Sequence, residues 1–150
     1  MYYSVGEVKK EKGKTLIKEF RGEVFIWEEK ATPVTAIIKF TNLGETLLLK
    51  GNYTAEVELL CSRCIESFIL QEKDNLLEEI KFKDIPNDIL DIGEILRENI
   101  LLALPLKPLC HPECKGLCEV CGENLNITQC NCALSTSKPG WEMIKDLLKK

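Results

Sequence analysis

From residue 22 to residue 72 the chain alternates apolar and polar positions with a period of two. In VTAIIKF, Val34, Ala36, Ile38 and Phe40 fall on one face and Thr35, Ile37, Lys39 and Thr41 on the other, the pattern of a half-buried strand. NLGE then signals a turn, TLLLK reads as a strand, and Gly51-Asn52 reads as a tight-hairpin turn. YTAEVELL alternates again, with Tyr53, Ala55, Val57 and Leu59 opposite Thr54, Glu56 and Glu58. Cys61 continues the apolar side, and IESFILQE can return as the next strand, so CSRC falls where a β-turn belongs.

Past residue 72 the alternation fades. Residues 73–90 are acidic, broken by Pro86, and read as a connection. Asp91 then stands in an N-cap position with Glu94 three residues on, the spacing of a capping box. Ile92, Ile95, Leu96 and Ile100 form one helical stripe that Pro105 brings to a close. A second amphipathic helix is expected in SKPGWEMIKDLLKK, with Trp141, Ile144, Leu147 and Leu148 on its apolar face. These elements predict an α+β fold: an antiparallel β-sheet or partly closed barrel, two helices and a Cys-rich zinc-binding appendage. The expected division is a β-rich core with the long helix over 1–105 and a Cys-rich module plus terminal helix over 106–150, acting as one cooperative unit. A chain of 150 residues has little room for two full cores.

The eight cysteines change the picture. Six of them lie between residues 110 and 132, and Cys61 and Cys64 lie far upstream. The first fourteen residues lack the apolar core of a secretory signal, and the longest apolar run is too short to span a bilayer. The expected compartment is therefore the cytoplasm, where clustered thiols hold metal more often than they form disulfides. Two Cys-x-x-Cys turns, Cys61/Cys64 and Cys118/Cys121, join the pairs Cys110/Cys114 and Cys130/Cys132 to give four pairs with none left over. Two four-cysteine zinc sites account for all eight. Spacing favours Cys61, Cys64, Cys110 and Cys114 as one site and Cys118, Cys121, Cys130 and Cys132 as the other. A competing arrangement joins Cys110 and Cys114 to Cys118 and Cys121, leaving Cys61 and Cys64 with Cys130 and Cys132. A redox role is disfavoured, because Cys61 and Cys64 sit between strands rather than at a helix N-terminus. His111 is an alternative ligand beside Cys110, and as the sole histidine it has no evident triad partners. No glycine-rich phosphate loop is present, and all eight ligand positions can be sulfur, so an enzyme is not expected.

Charge adds a constraint on partners. The formal net charge is −4, and two zinc ions held by eight thiolates would take it to about −8. That disfavours indiscriminate nucleic-acid binding. The distribution is uneven, with Lys9, Lys10, Lys12, Lys14, Lys18 and Arg21 near the start and nine acids against four bases over residues 72–98.

The order CSRC, ILLALPLKPLC, CKGLCEVCGENLN and CNC resembles the YceD-like family, the large ribosomal RNA subunit accumulation proteins, over about residues 50–132. The resemblance implies grouping Cys61 and Cys64 with Cys110 and Cys114, and it implies that the distal set is an add-on. It further implies a non-enzymatic factor in large-subunit ribosomal RNA accumulation and ribosome assembly, whose partner is that RNA or a pre-ribosomal particle. The alternative is an adaptor for a basic ribosomal or assembly protein. Candidate RNA contacts are Lys9, Lys10, Lys12, Lys14, Arg63 and Lys115. Arg63 and Lys115 serve equally well to offset a four-thiolate site, and Asn124 and Asn126 of the NLN element read as turn-closing residues.

Overall fold

Four long strands, β2 (Thr15–Trp27), β3 (Lys30–Asn42), β4 (Thr46–Leu60) and β5 (Ser67–Lys81), pair antiparallel in that order. The computed structural model describes residues 1–27 and 30–132. A short strand β1 (Tyr2–Ser4) pairs antiparallel with β6 (Ile89–Asp91), and two α-helices, α1 (Gly6–Lys9) and α2 (Ile92–Ala103), with two 3-10 turns at Phe82–Asp84 and Pro86–Asp88, complete the described elements. The architecture is α+β with an open antiparallel sheet. The expected helix near the C-terminus lies outside the described residues.

The period-two reading of β3 and β4 carries directly into burial. Val34, Ala36, Ile38 and Phe40 face the core together with Leu47, Leu49, Tyr53, Ala55, Val57 and Leu59. Helix α2 lies over that inner face, burying Ile92, Leu96 and Ile100 against it. The β1–β6 ribbon covers the rest: Tyr3 stacks on Phe40 at 4.6 Å between ring centroids and meets Phe20 edge-on at 5.8 Å. Asn42, buried at the β3–β4 turn, donates to the carbonyls of Val8 and Lys9 and accepts from Gly44 N–H. One amide thus fastens α1 to the sheet with its polar atoms satisfied.

Three expectations are corrected. Gly51-Asn52 is not a turn, because β4 runs straight through it, with Gly51 opposite Ile38. A Cβ on Gly51 would sit 2.1 Å from the Ile37 carbonyl oxygen, so glycine is there for close backbone approach rather than chain reversal. Residues 73–81 are not a connection but the second half of β5, held by a ladder reaching Thr46↔Lys81. Backbone pairing forms this strand despite its acidic side chains, and Leu76 alone of its residues is fully buried. Asp91 does cap α2, accepting from Gly93 N (2.9 Å) and Glu94 N (3.3 Å), but the Glu94 carboxylate is engaged by Arg97 at 3.1 Å. This ion pair takes the place of the capping box's return bond.

Candidate metal centre

The β4–β5 connection is the stretch CSRC, and its geometry recurs downstream. Cys61 N–H donates to Glu66 O (2.9 Å), Ile65 N–H to Cys61 O (2.9 Å), and Arg63 N–H to Cys61 Sγ (3.5 Å). In CEVCGE the same three bonds run from Cys118 N–H to Glu123 O (2.8 Å), Gly122 N–H to Cys118 O (2.9 Å), and Val120 N–H to Cys118 Sγ (3.4 Å). The flanking pairs match as well, Leu60↔Ser67 in one and Leu117↔Asn124 in the other. The chain therefore builds one knuckle twice. Each knuckle needs a positive φ after its second cysteine. Gly122 supplies it at 74°, whereas Ile65 is held at 63°, a costly conformation for a β-branched residue.

Two sulfur groups result, Cys61/Cys64/Cys110/Cys114 and Cys118/Cys121/Cys130/Cys132, each with its sulfurs within 4.8 Å of one another. Cys61 Sγ lies 3.7 Å from Cys114 Sγ, and Cys64 Sγ 3.7 Å from Cys110 Sγ. A tetrahedral zinc with Zn–S near 2.3 Å places its sulfurs about 3.8 Å apart, whereas a disulfide needs about 2.05 Å. The donor set and spacing fit a four-coordinate metal ion. The first group is the more buried, with Cys61, Cys64 and Cys114 inside, while Cys121 of the second is exposed.

The two groups are joined. Ser62 N–H donates to Pro108 O (2.8 Å), bringing the segment after α2 to the first knuckle, and Leu117 N–H donates to Arg63 O (3.2 Å). At Gly116, φ is 77° and a Cβ would lie 3.1 Å from Arg63 O, so a side chain there would strain the backbone and press the knuckles apart.

The electrostatics show what four converging sulfurs require. Burial pushes the Cys61 thiol up, but backbone N–H groups at Cys110, Cys64 and Arg63 outweigh it and bring it down to about 5. Burial also opposes ionisation of Cys114, which is nevertheless lowered by the Asn126 amide and Gly116 N–H. Their neighbours go the other way. Cys110 is pushed up to about 12 by burial and by the three adjacent sulfurs. Cys64 is raised because burial and the sulfurs of Cys61 and Cys114 overcome the Glu66 N–H. In the second group, N–H groups of Cys121 and Val120 lower Cys118 to about 6, while the Cys121 sulfur and burial push Cys132 up to about 12. The protein alone thus supports a mixture of thiolate and thiol, and a bound divalent cation would let all four ionise.

The remaining predicted residues separate by role. His111 is exposed, with Nδ1 3.1 Å from Cys110 Sγ, so the ring lies beside the sulfur group. Arg63 donates from Nη1 to Cys114 O (2.8 Å), and Lys115 N–H donates to Asn126 Oδ1 (2.8 Å) with its side chain outward. Lys9 is ion-paired with Asp88 at 2.5 Å, whereas Lys10 and Lys12 are exposed and Lys14 is half-buried. Asn126 was not expected at the sulfurs. Its Nδ2 reaches Cys114 Sγ (3.3 Å) and Asn124 Oδ1 (2.8 Å), so the NLN element orients a ligand as well as closing a turn.

Fold and sites together define an α+β protein whose sheet turn is tied to the segment after α2 by one all-cysteine group, with a second such group beside it. A family profile described as "Large ribosomal RNA subunit accumulation protein YceD" matches residues 69–148, and the chain belongs to that family. Over 44 residues it is 48% identical to a chloroplastic large ribosomal RNA subunit accumulation protein YCED homolog 1 of Zea mays, covering 29% of this chain and 15% of the relative. It is 31% identical over 58 residues to the Arabidopsis thaliana protein of the same name, covering 39% of this chain and 18% of the relative. An uncharacterised protein of Mycobacterium leprae (strain TN) is 23% identical over 134 residues, covering 80% of this chain and 61% of the relative. The chain spans less than two thirds of the length of these relatives. No solved structure matches it. Among the described residues, no helix is long and apolar enough to cross a membrane.

Proposed function

We propose that this protein is a non-enzymatic, zinc-loaded factor that supports accumulation of large-subunit ribosomal RNA, and hence ribosome assembly, by binding that RNA in the cytoplasm. The observation that carries the reading is the pair of four-sulfur groups in a chain of this family. Donors that are all thiolate select zinc or an iron–sulfur cluster over harder metals, and the tetrahedral spacing suits a single zinc. Four sulfurs leave no coordination position for water, which supports a structural metal over a catalytic one. Thiols kept free in this number fit a reducing compartment.

The test is crosslinking of the zinc-loaded protein to RNA in cells, followed by sequencing of what is attached. Enrichment of one region of large-subunit ribosomal RNA is the expected result. Background RNA with a co-purifying basic ribosomal protein would refute direct binding and make the chain an adaptor.

A further inference from the structure

The inner face of the four-stranded sheet is covered by α2, α1 and the β1–β6 ribbon, while its outer face is open among the described residues. Eight outward positions of the two central strands form the middle of that face: Thr35, Ile37, Lys39 and Thr41 on β3, and Leu48, Lys50, Asn52 and Thr54 on β4. In a chain carrying 24 acids against 20 bases, these eight positions include no carboxylate. Lys39 and Lys50 are directly paired across the strands, both exposed, and among the described residues neither has a carboxylate in ion-pair range. Like charges placed opposite one another in a sheet cost stability. The same row ends in Ile17 on β2 and Leu77 on β5, so no acid relieves the repulsion from the side. Lys73 adds a third such cation, in register with Thr54 and Thr35. Of the acids bordering the patch, Glu19 holds Arg21 at 2.6 Å and Glu79 accepts from Thr46 Oγ1 at 2.7 Å, while Glu56 marks its edge beyond Thr54, opposite Gln71.

We propose that this outer sheet face, centred on Lys39, Lys50 and Lys73, is where the protein docks the phosphate backbone of folded ribosomal RNA. The assignment rests on the RNA-binding reading above and gives it a surface. A polyanion is the occupant that turns an uncompensated lysine pair from a cost into an attraction. Asn52, Asn75, Thr35 and Thr54 lie among the lysines and supply neutral hydrogen-bonding groups for phosphate or ribose oxygens. The centre of the patch carries no aromatic side chain on which an unpaired base could stack, the exposed Trp27 lying at the far end of the face beside Lys30 and Glu58, so contact at the lysines follows the backbone shape of the RNA rather than its base sequence. Of the basic residues near the N-terminus, Lys9 is committed to Asp88 and Lys14 is half-buried, while Lys10 and Lys12 are exposed and serve as the comparison.

The experiment measures affinity of the zinc-loaded full chain for in-vitro-transcribed large-subunit ribosomal RNA of the source organism, between about 0.05 and 0.3 M salt, where counterion release is readable. Two variants of equal charge change are compared: K39Q/K50Q/K73Q and K10Q/K12Q/K14Q. Each lost phosphate contact is worth roughly fivefold at about 0.15 M salt, so the sheet variant should bind on the order of a hundredfold more weakly. Its log–log salt slope should be shallower by about 2 to 3. The N-terminal variant should change far less. Thermal melting and zinc content report folding, and the sheet variant should melt no lower than wild type because the Lys39–Lys50 repulsion is gone. Equal losses in both variants, or wild-type affinity in the sheet variant, would overturn the assignment while leaving RNA binding intact. A wild-type chain without salt-sensitive RNA binding would overturn both.

Discussion

The replacement Cys61→Ser tests whether metal holds this fold together. Cys61 and Cys64 sit at the β4–β5 turn and Cys110 and Cys114 beyond α2, with residues 65–109 between the two pairs. Closing a loop of that length restricts the unfolded chain by about 4 kcal/mol on the chain-entropy relation for cross-links. The second group spans only residues 122–129 between its pairs, for which the same relation gives about 2.5 kcal/mol. Zinc ligation itself contributes about 10–16 kcal/mol in small peptides, against a typical folding margin of about 5–15 kcal/mol. Loss of the first site should therefore abolish cooperative unfolding of the sheet. Cys121→Ser, at an exposed ligand of the second group, should cost one zinc and leave the sheet intact. Native mass spectrometry reads the zinc count, and circular dichroism through a guanidinium titration reads the fold. A Cys61→Ser protein that keeps two zinc ions and the wild-type midpoint would refute the reasoning, as would greater damage from Cys121→Ser.

Three further substitutions probe the frame around the sites. Ile65→Gly relieves a left-handed backbone at a residue that is 63% exposed, and after glycine's own entropy cost it should raise stability by about 0.5–1 kcal/mol; a lowered denaturation midpoint would contradict the strain. Gly51→Ala forces a Cβ against the Ile37 carbonyl and should cost about 3 kcal/mol or more, seen as a large drop in melting temperature; a shift of a degree or two would show that the strands can part cheaply. Asp91→Ala removes the cap of α2 and should cost about 1 kcal/mol at neutral pH. Burial raises the Asp91 carboxyl, but the Met1 amino group and the N–H groups of Glu94 and Gly93 lower it further. A carboxyl depressed by folding contributes its full stability above its unfolded pKa and loses it as pH falls through the folded value. The gap between wild type and Asp91→Ala should thus stay flat from pH 7 to pH 5 and narrow as pH falls below about 4, and a gap that stays constant or widens in that acid range would show that the carboxyl is not depressed.

Much of the sheet and the cysteine grouping is legible in the amino-acid sequence. Alternation along 34–40 and 53–59 names the inner face, NLGE marks the β3–β4 turn, and the stripe Ile92–Leu96–Ile100 marks α2. The failures share a cause, which is that partners outside the local window decide. Gly51 carries a turn signal, but the neighbouring strand dictates its presence. The second half of β5 has acids where an apolar face would be sought, and its partner strand supplies the structure. α1 is only four residues long and is held by Val5 and Val8, both fully buried, and by Asn42. At the sites, cysteine spacing carries the sulfurs, because ligand geometry is local to each pair. Asn126 escapes such a reading because its reach to Cys114 depends on a fold-back that spacing does not encode.

The position of the first knuckle also sets an order of events during synthesis. Cys61 and Cys64 close the longest hairpin of the sheet, yet their partners follow only at Cys110 and Cys114. At about 5–20 residues per second of translation, the two sulfurs of the first knuckle are made roughly 2–9 s before Cys110. For that interval the nascent chain holds a half-built cage, open to capture by a wrong metal or an oxidant. Completion of the cage is a chemical record that the ribosome has passed residue 114.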